Sequence, residues 1–194
     1  TITTPTIMTN HIMGRSTYNY SDFTPLAQFF TESTAFAVKA DSPIRDWKDL
    51  VARLKKDPTS VSLGSTSREG AAPLTFAMAL KAVGIDPKQM KLVVFNSASE
   101  AATAAAGGHI DVALSISDTL KTFVQDRRLR VLASSAAKRP VDGPFTAAPV
   151  LSELGVDVTF RSWRGVLAPK NLDASQVAYW DGVFAQMVAT DEWN

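Results

Sequence analysis

The 194-residue chain contains no cysteine. Disulfides, thiolate metal sites and cysteine nucleophiles are therefore excluded together. Histidine is nearly as scarce: His11 and His109 are the only two. They alone carry an unperturbed pKa near neutrality. Neither has a Cys or His partner at metal-ligand spacing, and Asp111, two residues after His109, sits on a short strand where neighbours alternate faces. Both histidines read as structural or surface residues. No run approaches the roughly 18 apolar residues of a membrane-spanning helix. Charge of one sign is lacking too: 20 Lys and Arg face 19 Asp and Glu, for a net charge of +1. A globally basic nucleic-acid binder is excluded, and only a local patch remains open. The motifs G-x-S-x-G, G-x-x-x-x-G-K-[ST] and G-x-G-x-x-G are absent, which counts against several common enzyme classes. No signal peptide is visible in Thr1 to Thr9, which reads as the middle of a strand and loop.

What is present is apolar substance. Hydrophobic residues make up 45% of the chain, enough for a real core in one domain or two small ones. The first 40 residues look irregular, with Phe36 to Ala40 as a strand. Asp46 then reads as a helix N-cap with Asp49 in the first turn. Trp47, Leu50, Val51 and Leu54 form one apolar stripe behind it, and Pro58 stops the helix. A regular alternation follows. Val61 to Leu63, Lys91 to Phe95, Ile110 to Ser115 and Leu129 to Ala133 read as strands. Helices read at Leu74 to Val83, after Ser97 with Glu100 as a capping box, after Ser117 or Asp118, and after Asp173 with Gln176. Val177, Trp180, Phe184, Met187 and Val188 form the last helix's apolar face. This rhythm predicts an α/β fold with a mostly parallel sheet. Val93, Val94, Val131 and Leu132 carry the apolar runs expected of strands covered on both faces.

Two features invite a functional reading. Lys121, Arg127, Arg128, Arg130, Lys138 and Arg139 cluster loosely, and a solvated helix end explains them better than an anion patch. No aromatic residues interleave from Arg127 to Arg139, so single-strand stacking is unsupported. The stronger feature is a set of hydroxyl-rich strand-to-helix turns. Gly64-Ser65-Thr66-Ser67-Arg68 is the first, Asn96-Ser97-Ala98-Ser99 the second and Ser115-Ile116-Ser117-Asp118 the third. In a parallel sheet all three share one edge, where open α/β sheets bind ligands. Free N–H groups at helix starts favour an anion, and Arg68 adds a bidentate donor for a carboxylate. Capping preferences account for part of the serine enrichment.

Several stretches resemble the extracytoplasmic solute-binding component of the tripartite tricarboxylate transporter, the TctC or Bug family. They are Asp22-Phe23-Thr24-Pro25-Leu26-Ala27, Asp46-Trp47-Lys48-Asp49-Leu50, Gly107-Gly108-His109-Ile110-Asp111, Leu129-Arg130-Val131-Leu132-Ala133 and Ser152-Glu153-Leu154-Gly155. Ser162-Trp163-Arg164-Gly165-Val166-Leu167-Ala168-Pro169 is the most specific, and Tyr179-Trp180 and Met187 to Trp193 also fit. The resemblance covers nearly all of the chain. It departs at Gly64 to Pro73, where the family's second-lobe loop has a histidine. It departs again at Ser97-Ala98-Ser99, where the family often has Gly-Gly.

The resemblance implies a periplasmic-binding-protein type II-like fold of two lobes, each a mostly parallel sheet flanked by helices. Residues 41–159 would form one lobe. Residues 1–40 with 160–194 would form part of the other plus the crossover strands, with hinges near Phe36 to Ala40 and Phe160 to Val166. The chain would be truncated at both ends, with a signal peptide and a first βα unit upstream of Thr1. The implied function is capture of a small di- or tricarboxylate between the lobes and delivery to the transporter's membrane permease subunits. The protein would be a periplasmic monomer without catalysis, cofactor, metal, nucleic-acid partner or membrane insertion. The ligand-binding candidates are Thr9, Gly64, Ser65, Thr66, Ser67, Arg68, Ser97, Ser99 and Ser117. Two other readings stay open: a regulator's effector domain of the same architecture, and an α/β enzyme.

Overall fold

A computed structural model describes residues 1–193. The chain divides into two compact units, Thr1–Thr31 with Ser162–Asn194, and Glu32–Arg161. The second unit holds the regular α/β alternation. Its strands are the end of β2 (Phe23–Lys39), then β3 (Ser62–Ser65), β4 (Lys91–Val94), β5 (Val112–Ile116) and β6 (Leu129–Ser134). Its helices are α2 (Trp47–Lys56), α3 (Ala71–Ala82), α4 (Ala98–Gly107) and α5 (Ser117–Gln125).

Strand β3 pairs in parallel with both β4 and β5. Strand β2 runs antiparallel to β5 on one side and to β6 on the other. Four strands therefore point one way, with β2 inserted against them. The C-terminal ends of β3, β4, β5 and β6 consequently share one edge of the sheet, and every helix N-terminus that follows a strand there begins at that edge.

The alternation along β2 explains why the sheet is covered on both faces. Phe36 and Val38 join a core of large side chains with Trp47, Leu50, Leu54, Phe76 and Leu80 from α2 and α3. Ala35 and Ala37 point the other way and meet Ala102 and Ala105 of α4 and Leu120 of α5. The alanine-rich α4 thus lies close on a strand face of alanines. Gly64 belongs to this packing, because a Cβ there would stand 2.2 Å from Ile110 Cδ1 and 2.9 Å from a Phe95 ring carbon.

Several sequence expectations are corrected. Val93 and Val94 are 38% and 52% exposed, because β4 is the edge strand and pairs only with β3. The predicted strand cover on both faces therefore fails at the sheet's rim. Of the two expected hinges, Phe36 to Ala40 lies inside the second unit, where Phe36, Ala37 and Val38 are fully buried. The chain passes between the units at residues 31–32 and 161–162, and the latter falls within the expected Phe160 to Val166. Helix α3 begins at Ala71, three residues before the predicted start at Leu74.

The first unit contains β1 (Ile2–Thr3), α1 (Thr6–Ile12), the start of β2, β7 (Arg161–Pro169) and α6 (Ala174–Val188). The irregular reading of the first 40 residues is corrected here, since α1 and the 17-residue β2 are both regular. Short polar-apolar mixtures such as Thr6 to Ile12 carry no helical periodicity that would have marked α1. Strand β1 pairs antiparallel with β7, with Ile2 opposite Val166 and Thr3 opposite Gly165. Asp173 and Gln176 form the expected capping box of α6. Of its predicted apolar face, Phe184 lies edge-on to Phe29 at 5.3 Å, whereas Trp180 and Val188 stay 41% and 39% exposed.

Candidate functional site

The shared C-terminal edge of the second unit brings three predicted turns together, because β3, β4 and β5 are parallel neighbours. Their details differ, and the differences decide which groups are available. At the β4–α4 turn, the Ser97 hydroxyl accepts from the Glu100 N–H at 3.1 Å, so this helix caps itself. The Glu100 carboxylate reaches back to the Asn96 N–H at 3.2 Å rather than to the Ser97 N–H of the expected capping box. Ser99 is exposed in the same turn, and its carbonyl accepts from the Thr103 hydroxyl.

At the β5–α5 turn the N-cap position falls on Ile116, so neither Ser117 nor Asp118 caps the helix as expected. The strand runs into the helix without a loop, which places Ser117 inside the first turn. Its hydroxyl instead lies 2.9 Å from the Ser33 hydroxyl and 3.2 Å from the Ser33 carbonyl. The first-turn N–H groups of α5 have no side-chain cap, although Asp118 adds a negative charge beside them.

The β3–α3 turn is the most open to an anion. Gly70 is the N-cap of α3 and supplies no side-chain oxygen, and no acidic residue lies in the first turn. The N-cap residue thus offers no side-chain acceptor to the N–H groups of Ala71 and Ala72 at the positive end of the helix dipole, and Glu69 stands one residue before it. Gly64 and Ser65 are buried at the end of β3, Thr66 and Arg68 are exposed, and Ser67 is half-buried. The Ser65 carbonyl accepts from the Phe95 N–H at 2.9 Å, which ties this turn to the next. The Arg68 guanidinium donates to the Leu92 carbonyl at 3.4 Å, along the outer edge of β4.

Thr9 lies on α1 in the first unit, where its hydroxyl donates to the Thr6 carbonyl at 3.2 Å.

The same edge holds residues the sequence reading passed over. Thr34 and Ser135 are both fully buried. The Ser135 hydroxyl accepts from the Thr34 N–H at 3.0 Å and donates to the Phe160 carbonyl at 2.9 Å. Ser134-Ser135 stands at the end of β6 just as Ser65 to Ser67 stands at the end of β3, so the pattern of hydroxyls at strand ends was available for a fourth turn. Ser33 and Thr34 had no such signal, because they lie within a long strand. These hydroxyls are committed to one another and position the edge.

The basic cluster disperses. Arg128 lies over the Phe123 ring at 5.0 Å, Arg139 pairs with Glu153 at 2.7 Å, and Arg130 donates to the carbonyls of Ser42, Ile44 and Arg45. Among the described residues, no group of three or more His, Asp or Glu side chains is arranged to hold a metal ion. Nor is any helix among them long and apolar enough to cross a membrane.

Four carboxylates are held below their ordinary range, each at a cap or turn. The Arg45 N–H and then the Arg53 guanidinium lower Asp49. The Thr59 hydroxyl lowers Asp57, the Arg139 guanidinium lowers Glu153 and the Ser175 hydroxyl lowers Asp173. A carboxylate with a folded pKa below its unfolded one stabilises the fold above the unfolded value, and that stability is lost as pH falls through the folded value. The ordinary values are 3.8 for Asp and 4.5 for Glu. The urea midpoint is therefore expected to be flat from pH 7 to about 5.5 and to fall from about 4.5 downward. A midpoint that rises on acidification to pH 3 would contradict these assignments.

The sequence model of the tripartite tricarboxylate transporter family receptor, TctC, matches residues 2–185. The chain belongs to this receptor family. It is 30% identical over 143 residues to the UPF0065 protein in gbd 5'region of Cupriavidus necator, a match covering 73% of this chain and 41% of that one. The structure is similar to a TctC solute-binding protein from Polaromonas, with a TM-score of 0.80 at 22% identity, covering 99% of this chain and 64% of the other. It is also similar to an R. palustris protein with adipate, with a TM-score of 0.79 at 21% identity and the same coverages of 99% and 64%. The chain thus spans less than two thirds of the length of these relatives. At such identities the structural likeness establishes the fold: a mixed α/β architecture shared with periplasmic binding proteins.

Proposed function

We propose that the complete protein is an extracytoplasmic receptor that captures a small dicarboxylate at the C-terminal edge of the second unit and delivers it to a membrane permease without turnover. The observation that carries this reading is the start of α3. It is a helix N-terminus in a receptor-family chain with neither a side-chain cap nor an acidic residue in its first turn. The neighbouring α5 also lacks a side-chain cap. Thr66, Ser67 and Ser99 add hydroxyl donors beside these N–H groups, and Gly64 and Ser65 shape the turn. Ser97 and Ser117 hold the edge through their own hydrogen bonds. Arg68 is a peripheral cation in this scheme. Thr9 belongs to the first unit, whose contribution to ligand binding would be separate.

A dicarboxylate fits because one of its carboxylates satisfies a helix N-terminus while the other remains for a second set of donors. The R. palustris neighbour holding adipate is a precedent for the ligand class. A micromolar dissociation constant corresponds to about 8 kcal/mol. Three to five charge-assisted hydrogen bonds at roughly 1.5–3 kcal/mol each give about 4.5–15 kcal/mol, a range that brackets that amount before the costs of immobilising the ligand.

Titration calorimetry of the full-length protein against adipate, shorter dicarboxylates and citrate tests the proposal. Saturable heat is expected from at least one dicarboxylate, with the ligand recovered unchanged. Heat from none of them, or conversion of the ligand, would overturn it.

A further inference from the structure

The second unit contains a cavity of about 470 Å³ that the receptor reading does not use. It lies at the opposite end of the sheet from the hydroxyl-rich turns, where β2 ends and β6 begins. Its floor and walls are apolar, with Val124 from α5, Leu129 and Leu132 from β6, and Ala148 between Pro144 and Pro149. Four charged residues complete the lining: Arg45, Asp46, Arg127 and Arg130. A volume of this size falls within the range of small-molecule sites.

Three of those four charges are committed elsewhere. Asp46 accepts the Asp49 N–H at 2.8 Å as the cap of α2. Arg130 is spent on loop carbonyls, and Arg45 lies 3.8 Å from the Asp49 carboxylate. The Arg127 guanidinium makes no hydrogen bond or ion pair among the described residues.

The backbone of Arg127 supplies an independent observation. The Arg127 N–H donates to the Val124 carbonyl at 3.1 Å and the Arg128 N–H to the Phe123 carbonyl at 2.9 Å. This is the C-terminal closure of α5, which requires a left-handed residue. Arg127 takes that conformation with φ 55°. The corresponding ends of α3, α4 and the short 3-10 turn Leu151–Leu154 use Gly84, Gly108 and Gly155, with φ 81°, 79° and 75°. An arginine accepts backbone strain there that glycine would avoid. The turn alone does not call for an arginine, and Arg127 is one of the four charged residues that line the cavity.

We propose that this cavity binds an amphipathic monoanion, with its apolar body against Val124, Leu129 and Val131 on the α5 face of β6 and its carboxylate or sulfonate on Arg127. The site is separate from the dicarboxylate edge, and neither depends on the other.

Octanoate serves as the probe, followed by amide chemical shifts of the full-length protein. Octanoate is expected to shift the amides of residues 127–132 and 145–148 saturably, and octanol, which lacks the anion, to bind at least fivefold more weakly. Arg127→Gly should weaken octanoate binding at least fivefold and at the same time raise the thermal midpoint, because glycine relieves the left-handed strain. Its affinity for adipate should be unchanged. The proposal fails if octanoate shifts no amide around the cavity, or if octanol binds as well. It also fails if Arg127→Gly leaves octanoate affinity within twofold. A merely structural arginine would move the midpoint alone.

Discussion

Phe36→Ala is expected to cost the second unit about 3–5 kcal/mol of unfolding free energy, the usual range for removing a fully buried aromatic side chain. Phe36 has no exposed surface and sits where three aromatic rings meet. Its ring centroid is 6.0 Å from Trp47 and 4.9 Å from Phe76, and those two rings are 6.0 Å apart. Trp47 comes from the start of α2 and Phe76 from the middle of α3, while Phe36 belongs to the sheet. Removing the ring therefore opens a cavity that three elements line at once, and a close-packed interior relaxes only partly around such a void. The contrasting substitution is Val94→Ala. Val94 is 52% exposed on the edge strand, so the change should stay within about 0.5 kcal/mol. Urea unfolding followed by far-ultraviolet circular dichroism measures both. A Phe36→Ala loss below about 1 kcal/mol would mean that the core does not turn on this residue.

The contrast between Phe36 and Val94 also shows what hydrophobic pattern can reveal. Trp47, Leu50 and Leu54 repeat at helical spacing and are all buried. Asp46 and Asp173 stand where helix starts require a side-chain oxygen, and both cap as expected. Such features are local: the residues that make the interaction lie within one or two turns of each other. Val93 and Val94 look like an interior strand because apolar runs record burial on two faces and say nothing of which strand ends the sheet. Position in the sheet is a long-range property, fixed by which strands pair.

The same division applies to the candidate edge. Serines after three strands were visible as a pattern, and the parallel pairing of β3, β4 and β5 places their turns at one edge. Which hydroxyls are spent was not visible. Ser117 is engaged by Ser33, a residue 84 positions away on an antiparallel strand. No spacing within a turn announces that contact. The location of the N-cap at Ile116 was equally hidden, because a strand passing straight into a helix leaves no loop to mark the boundary.

Ala71→Asp is expected to separate binding from folding with opposite signs. Ala71 opens α3, immediately after the Gly70 N-cap. A carboxylate there interacts favourably with the helix dipole, and should stabilise the fold by about 0.3–1 kcal/mol. The same carboxylate stands at the N–H groups proposed to receive the ligand. It would compete for them and repel a dianion, and even a modest Coulomb penalty of about 1.4 kcal/mol is tenfold in affinity. Adipate affinity is therefore expected to fall tenfold or more while the thermal midpoint stays level or rises. Ala71→Asn keeps the size and loses the charge, so it should recover most of the affinity at moderate ionic strength. Calorimetry paired with thermal unfolding of the full-length protein reads both effects. If Ala71→Asp binds adipate as tightly as the parent protein does, the start of α3 is not the anion site. If affinity and stability fall together, the substitution has disturbed the helix, and Ala71→Asn then decides between loss of fold and loss of charge complementarity.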